Sequence, residues 1–264
     1  LYALTLGLIG RVSNPERVIA IAIVLQVASL AVGISAVPLL IEKWDLPGIT
    51  IGLAMVFCTG LLLVGRVPRR LQDRKGLEGS AGGTNLIPVA FLGSLIVFSI
   101  GLGSVWAFLE RIGSAAGFEL ANIGIALAVS GLVGGAGALV AAILGTRFGR
   151  VLPTATALGL AILACVMLAT RGDWYSYVVA AAMFNFGWNL TTPYLMGAIA
   201  ATDHTGRLMV LIPAAQAGGY AVGPALTGMI IVGGSYATAG WVSMVFFGLC
   251  MLITIPLLRK IGDG

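Results

Sequence analysis

Long apolar stretches recur along the chain and are separated by short polar segments. A helix needs about 20 mainly apolar residues to cross the hydrocarbon core of a bilayer. These stretches are too long for strands, and in lipid only a helix or a closed barrel satisfies its own backbone hydrogen bonds. The pattern therefore predicts an all-α, polytopic membrane protein. Eight stretches are long enough to cross the membrane, and they cover residues 17–41, 47–67, 87–112, 119–145, 152–170, 174–201, 206–232 and 235–258.

Local sequence signals indicate where two of these helices begin. Asn14, Pro15 and Glu16 supply an N-cap, a proline at the first helical position and an acid in the first turn. Asp203 is expected to cap the span that begins near residue 206. We interpret both acids as helix-start residues.

One long polar segment divides the chain. Residues 68–86 are rich first in charge and then in Gly and Ser, which is typical of a linker. Residues 1–67 hold two spans and a short apolar stretch, residues 1–10, which we interpret as the end of a further helix. Residues 87–264 hold six complete spans. We therefore expect an incomplete N-terminal bundle, a linker and a complete six-helix bundle, with further helices of the same protein preceding residue 1.

Composition excludes most soluble classes of protein. Apolar residues make up 59% of the chain and charged residues 9%, whereas soluble domains carry about 25% charge. Three cysteines and one histidine offer no metal-ligand spacing, and no phosphate-binding Gly-x4-Gly-Lys-Ser/Thr loop is present in the sequence. With no histidine inside a span, a catalytic triad has no base. We expect no enzyme activity, no metal and no cofactor.

The basic residues indicate the orientation. The net charge is +5, and most Lys and Arg residues fall on the side of the membrane that carries the linker. Because such residues accumulate in cytoplasmic loops, we place the linker and the C-terminus in the cytoplasm. This asymmetry accounts for the charge, and we expect no nucleic-acid partner.

The chain also matches itself at an offset of 190 residues. The offset aligns Arg17 with Arg207 and Gln26 with Gln216. Because the sequence contains only three glutamines, the match between two of them is informative. Both arginines fall on the predicted cytoplasmic side, so the two copies have the same orientation. Parallel repeats are typical of transporters that are built from two six-helix halves.

A basic linker followed by six spans, with parallel repeats across it, resembles the major facilitator superfamily. The loop after the span 119–145 is similar to the family signature Gly-x-Leu-Ala-Asp-Arg-x-Gly-Arg, because Arg147, Gly149 and Arg150 match it. Thr146 replaces the signature Asp. The resemblance implies that the chain runs from the end of helix four to helix twelve. It also implies a gating loop at Arg147, Gly149 and Arg150, and a bacterial inner (plasma) membrane location.

Polar residues inside spans are costly in lipid and point to a substrate path. Ser99, Gly103, Trp106 and Glu110 recur at helical spacing and share one face of a helix that lines the central cavity in the family. We take Trp106 as a candidate substrate-binding residue and Glu110 as a candidate for proton coupling. The alternative for Glu110 is a solvated residue near the outer end of its span.

The span 174–201 supplies a second set of candidates. Asn185 and Asn189 lie four residues apart, with Trp188 beside them. Two amides can hydrogen-bond a polar solute, and an indole can stack on an apolar or cationic one. The alternative is hydrogen bonding between helices.

Two glutamines and two glycine pairs complete the candidate residues. Gln26 and Gln216 are candidates either for solute binding or for packing. Gly131 with Gly135, and Gly219 with Gly223, are expected to be sites of close helix packing.

The sequence therefore predicts a secondary active transporter, or permease, that moves a small solute by alternating access. Import and efflux are both compatible with the sequence, and protons are the candidate coupling ion. Its expected partners are the lipid bilayer, the solute, protons and the N-terminal helices that precede residue 1. The alternative is a membrane receptor or scaffold that has the same fold but does not transport.

Overall fold

A computed structural model describes the fold of most of the C-terminal region and part of the N-terminal region. The described residues are 14–29, 47, 50, 58, 86–170, 172–203, 205–231 and 235–262. Within these ranges the regular secondary structure is helical and no strand is formed, so the predicted all-α class is confirmed. The predicted linker 68–86 lies outside the described residues except for Leu86. The apolar stretch 1–10 also lies outside them.

From residue 87 onward, the helix boundaries agree with the predicted spans to within a few residues. The structure describes the predicted span 17–41 only as far as residue 29, and the predicted span 47–67 lies outside the described residues except for Pro47, Thr50 and Cys58. Helix α1 covers residues 15–29, and the others are α2 Ile87–Trp106, α3 Leu109–Ala115, α4 Leu120–Leu144, α5 Val151–Ala169, α6 Trp174–Thr202, α7 Arg207–Ile230 and α8 Thr238–Gly262. The predicted span 87–112 is divided into α2 and α3 by a turn at Ala107 and Phe108.

Among the described residues, five helical segments are long and apolar enough to cross a membrane. They are Ile87–Ala115, Leu120–Leu144, Val151–Ala169, Arg207–Ile230 and Thr238–Gly262. Helix α6 has 29 residues, which is long enough to cross, but it carries more polar side chains than the other five. Most of its second half is buried inside the bundle. The chain is therefore a polytopic helical membrane protein.

Internal contacts divide the chain into two compact units. The first comprises Leu1–Val24 and Ser80–Gly264, and it joins the first ten residues of α1 to the bundle formed by α2 to α8. The second comprises Leu25–Gly79. Of the second unit the structure describes residues 25–29, 47, 50 and 58, and the Thr50 hydroxyl donates to the Pro47 carbonyl oxygen at 2.8 Å.

Both predicted helix starts are confirmed. Helix α1 begins at Pro15, directly after Asn14. The Asp203 carboxylate accepts hydrogen bonds from the backbone N–H groups of Leu208 at 2.7 Å and Met209 at 3.2 Å. It thereby satisfies two amides in the first turn of α7, which have no carbonyl partner within the helix.

The helices of the bundle pack in a pattern that is symmetric between two sets of three. Helix α2 packs against α7 and α8, while α6 packs against α4 and α5. Helix α2 also contacts α6, and α5 contacts α8. Exchanging α2, α4 and α5 for α6, α7 and α8 converts α2–α7 into α6–α4 and α2–α8 into α6–α5, and it leaves the pairs α2–α6 and α5–α8 unchanged.

The contact between α2 and α7 depends on small residues, as predicted for Gly219 and Gly223. A Cβ atom on Gly219 would lie 2.5 Å from Ser99 Cβ. The Ser104 hydroxyl donates to the Gly223 carbonyl oxygen at 3.1 Å. Residue numbers rise together on the two sides of the contact, so α2 and α7 run parallel.

A second close contact joins α4 and α6, but through other glycines than predicted. A Cβ atom on Gly134 would lie 2.8 Å from Asn189 Nδ2, and one on Gly137 would lie 2.5 Å from the Phe186 carbonyl oxygen. Gly131 instead faces open space. The prediction was therefore wrong for Gly131, because the face of α4 that meets α6 includes Gly134 and Gly137. For Gly135 it stays a prediction.

Aromatic side chains fill the core between α2, α6 and α8. Phe98, Phe184 and Phe247 are buried. The Phe247 ring centroid lies 5.5 Å from that of Phe98 and 6.3 Å from that of Phe184. Burying such rings contributes strongly to packing, and it fixes the positions of the helices that carry the candidate site.

Candidate functional site

Three aromatic rings from three helices meet near the end of α2. The Trp188 ring centroid lies 5.7 Å from that of Trp106 on α2 and 6.2 Å from that of Tyr220 on α7. The Trp106 side chain is 48% exposed, and Trp188 and Tyr220 are partly exposed. We call Trp106, Trp188 and Tyr220 the aromatic site. The structure thus brings together the two predicted tryptophans, and Tyr220 joins them.

The sequence reasoning missed Tyr220, although a signal for it was present. Gln216 and Tyr220 lie four residues apart on α7 and therefore share a face of the helix. The predicted Gln216 is partly buried. In the described part of the chain its amide makes no hydrogen bond, so it remains able to bind a polar group beside the aromatic site.

The two predicted asparagines of α6 face α4 rather than the aromatic site. Asn185 is 4% exposed, and its Nδ2 atom donates to Ser130 Oγ at 3.1 Å and to the Ala181 carbonyl oxygen at 3.2 Å. Asn189 Nδ2 donates to the Asn185 carbonyl oxygen at 2.9 Å. This geometry favours interhelical hydrogen bonding for Asn185. Asn189 is partly exposed, and its role in binding stays a prediction.

The remaining predicted glutamine lies in the second compact unit. Gln26 is an exposed residue of α1. Its binding role stays a prediction.

Glu110 lies beyond the end of α2, in the first turn of α3, and its side chain is exposed. Its neighbour Arg111 is held by aromatic rings, since its guanidinium carbon lies 5.9 Å from the Phe108 ring centroid and 5.8 Å from that of Tyr236. The position agrees with the alternative of a solvated residue near a helix end. Proton coupling through Glu110 stays a prediction.

The predicted gating loop connects α4 to α5, and its three residues lie in different surroundings. Arg147 is exposed. Gly149 has a φ of 68°, a left-handed conformation that glycine adopts without strain. Arg150 extends to α1, where its Nε atom lies 2.6 Å from Glu16 Oε1.

The carboxylate of Glu16 is enclosed by the bundle. Its side chain is 1% exposed, compared with 26% for Arg150, and its Oε2 atom has no hydrogen-bond partner in the described structure. A Cβ atom on Gly197 of α6 would collide with the Glu16 side chain. One turn later, Ala20 is buried in a cluster that includes Tyr194. Because Gly197 has no side chain, it leaves room for the side chain of Glu16.

The interpretation of Glu16 as a helix-start residue alone was therefore incomplete. The residue does lie in the first turn of α1, but its side chain forms an ion pair with Arg150, which is 134 positions away. No spacing in the sequence indicates this pair, because it depends on how α1 packs against the bundle.

No model of a known protein family matches the chain, and no curated protein matches its sequence.

Proposed function

We propose that this protein is a secondary transporter of the major facilitator type, which moves a small solute by alternating access. The observation that carries the proposal is the symmetric packing of the bundle. Transporters of this type contain two inverted three-helix repeats within each six-helix half. Two such repeats would relate α2, α4 and α5 to α6, α7 and α8, which is the exchange that preserves the packing of the bundle.

The directions of the helices support inverted repeats. Helices α2 and α6 are counterparts in the exchange, and their contacts run in opposite order. Trp106 at the end of α2 lies against Trp188. The carbonyl oxygen of Leu109, in α3 but in the same apolar segment Ile87–Ala115, accepts a hydrogen bond at 3.0 Å from the hydroxyl of the earlier residue Tyr177. Counterparts that run antiparallel are related by an axis in the membrane plane, as in inverted repeats.

The position of the aromatic site supports a solute path. In transporters with repeats, the substrate site lies where the repeats meet. Trp106 belongs to the first repeat, and Trp188 and Tyr220 belong to the second. Trp188 lies near the middle of α6, so a bound solute would contact both repeats well inside the predicted membrane.

The Glu16–Arg150 pair supports a gate on the cytoplasmic side. Because Lys and Arg accumulate in cytoplasmic loops, we propose that the α4–α5 loop, the linker and the C-terminus lie in the cytoplasm and that the membrane is a bacterial inner membrane. An ion pair between α1 and this loop would hold the inner end closed. It would have to break when the inner end opens, as rocking between two halves requires.

Flux in proteoliposomes separates this function from that of a receptor or scaffold with the same fold. Vesicles with and without protein are tested against a panel of neutral, cationic and anionic labelled solutes. A transporter gives saturable, protein-dependent flux of at least one class of solute. A receptor or scaffold gives the same flux as empty vesicles. Repeating the flux measurement across pH with Glu110→Gln tests the secondary proposal of proton coupling.

A further inference from the structure

The three helices that supply the aromatic site carry no formal charge apart from Arg207 at the start of α7. Helices α2, α4, α5 and α6 contain no Lys, Arg, Asp or Glu, and α7 contains none after Arg207. A bound carboxylate or phosphate would therefore have no cationic partner on these helices. Because burying an unpaired charge without compensation is costly, the site disfavours anionic solutes.

The rings themselves attract positive charge. The face of an indole is electronegative and binds cations within about 6 Å of its centroid, more strongly than Tyr or Phe does. The protein already uses this interaction elsewhere, where Arg111 lies over Phe108 and Tyr236. In the described structure no guanidinium or ammonium lies over Trp106 or Trp188. Their exposed ring surface therefore remains for a ligand.

The described helices that supply the site, α2, α6 and α7, carry no carboxylate, and this limits which cations fit. A small ammonium ion is strongly hydrated, and it would lose that hydration without gaining a counter-charge. A large cation with shielded or delocalised charge loses less hydration and buries more apolar surface. Glu110, four residues after Trp106, lies beyond the end of α2 and is exposed, and Arg111 beside it lies over the rings of Phe108 and Tyr236.

We infer that the aromatic site binds a lipophilic organic cation of the quaternary ammonium or phosphonium class. The transport of that cation rests on the proposed function, whereas its binding to the site does not. Trp106 and Trp188 supply the ring faces, and Tyr220 supplies a third ring.

Equilibrium binding to the purified protein in lipid nanodiscs tests the inference. The probe is tetraphenylphosphonium, and the matched control ligand is tetraphenylborate, an anion of nearly the same size and shape. The test variants are Trp106→Leu and Trp188→Leu, which keep apolar bulk but remove the ring face. The control variant is Trp241→Leu. Trp241 is 43% exposed on α8, close to the exposure of Trp106, and in the described structure it contacts no other ring.

We expect each test variant to bind the cation about 5- to 30-fold more weakly than the wild type, which is the range of one cation–π contact. Trp241→Leu should bind it like the wild type. Tetraphenylborate should bind more weakly than the cation, and the substitutions should not change its affinity. If Trp188→Leu does not fold, as judged by its thermal transition, Trp188→Phe replaces it and should weaken cation binding less than 5-fold.

Two results would overturn the inference. One is equal binding of the cation by Trp106→Leu and the wild type. The other is equal affinity of the wild type for tetraphenylphosphonium and tetraphenylborate, which would mean that size and apolarity alone determine binding. Because the measurement needs no gradient, its failure is distinct from the absence of flux in proteoliposomes.

Discussion

Arg150 Nε lies 2.6 Å from Glu16 Oε1 and joins the first turn of α1 to the loop between α4 and α5. The two ends of the pair differ in exposure. Glu16 is enclosed beside Gly197, whereas about a quarter of the Arg150 side chain is exposed. Losing Arg150 would leave a buried carboxylate without a counter-charge, whereas losing the Glu16 charge would leave an arginine that can reach water.

The first prediction follows from this asymmetry. Arg150→Ala should lower the free energy of unfolding by about 3 kcal/mol, the lower end of the range for removing one partner of a buried pair. Glu16→Gln should cost less, about 1 kcal/mol, because a neutral amide replaces the buried charge. Unfolding titrations in mixed micelles measure both values.

The matched control for this pair is Arg147→Ala. Arg147 is exposed in the same loop, and its removal should change the free energy of unfolding by less than about 0.5 kcal/mol. Equal losses for Arg147→Ala and Arg150→Ala would show that the ion pair contributes nothing specific.

The second prediction concerns the contact between α4 and α6. Gly137→Ala should destabilise the bundle by about 1–3 kcal/mol, because the new methyl group would lie 2.5 Å from the Phe186 carbonyl oxygen and would force the helices apart. Gly131→Ala on the same helix meets open space. It should be neutral or stabilising by up to about 1 kcal/mol, since alanine favours helix more than glycine does. The same unfolding titration compares the two, and the reverse order would contradict the packing described.

The third prediction concerns the hydrogen bond between Asn185 and Ser130. A double-mutant cycle with Asn185→Ala and Ser130→Ala should give a coupling energy of about 0.6 kcal/mol, the average for interhelical hydrogen bonds in membranes. Asn185→Ala should leave the affinity for tetraphenylphosphonium unchanged. Weaker ligand binding with no loss of stability would instead assign Asn185 to the solute site.

The helices could be predicted well from sequence, because length and apolarity determine a membrane span. The local start signals also sufficed, since Pro15 and Asp203 act within one turn of their own positions. The break at Ala107 and Phe108 was not predicted, because the apolar pattern continues through it.

The candidate site was predictable only in part. Trp106 could be selected because it shares a helical face with Ser99 and Glu110, and Trp188 because it lies beside two asparagines inside a span. One sequence does not show which face of a helix meets which neighbour, so Gly131 was expected at a close helix contact and Asn185 was grouped with Trp188. The Glu16–Arg150 pair depends on tertiary packing over 134 positions, which no local pattern specifies.

If the protein works by alternating access, Trp188 at the centre of the aromatic site must become accessible from each side of the membrane in turn. Cys58→Ser removes the exposed thiol, while Cys165 and Cys250 are buried. Trp188→Cys is then introduced, and a membrane-impermeant maleimide is added to right-side-out or inside-out vesicles. Ala161→Cys, at a fully buried position on α5, is the control and should react from neither side.

We predict that the thiol introduced by Trp188→Cys reacts from both sides. Reaction from one side only, or from neither, in protein that retains its thermal transition would contradict alternating access at this site.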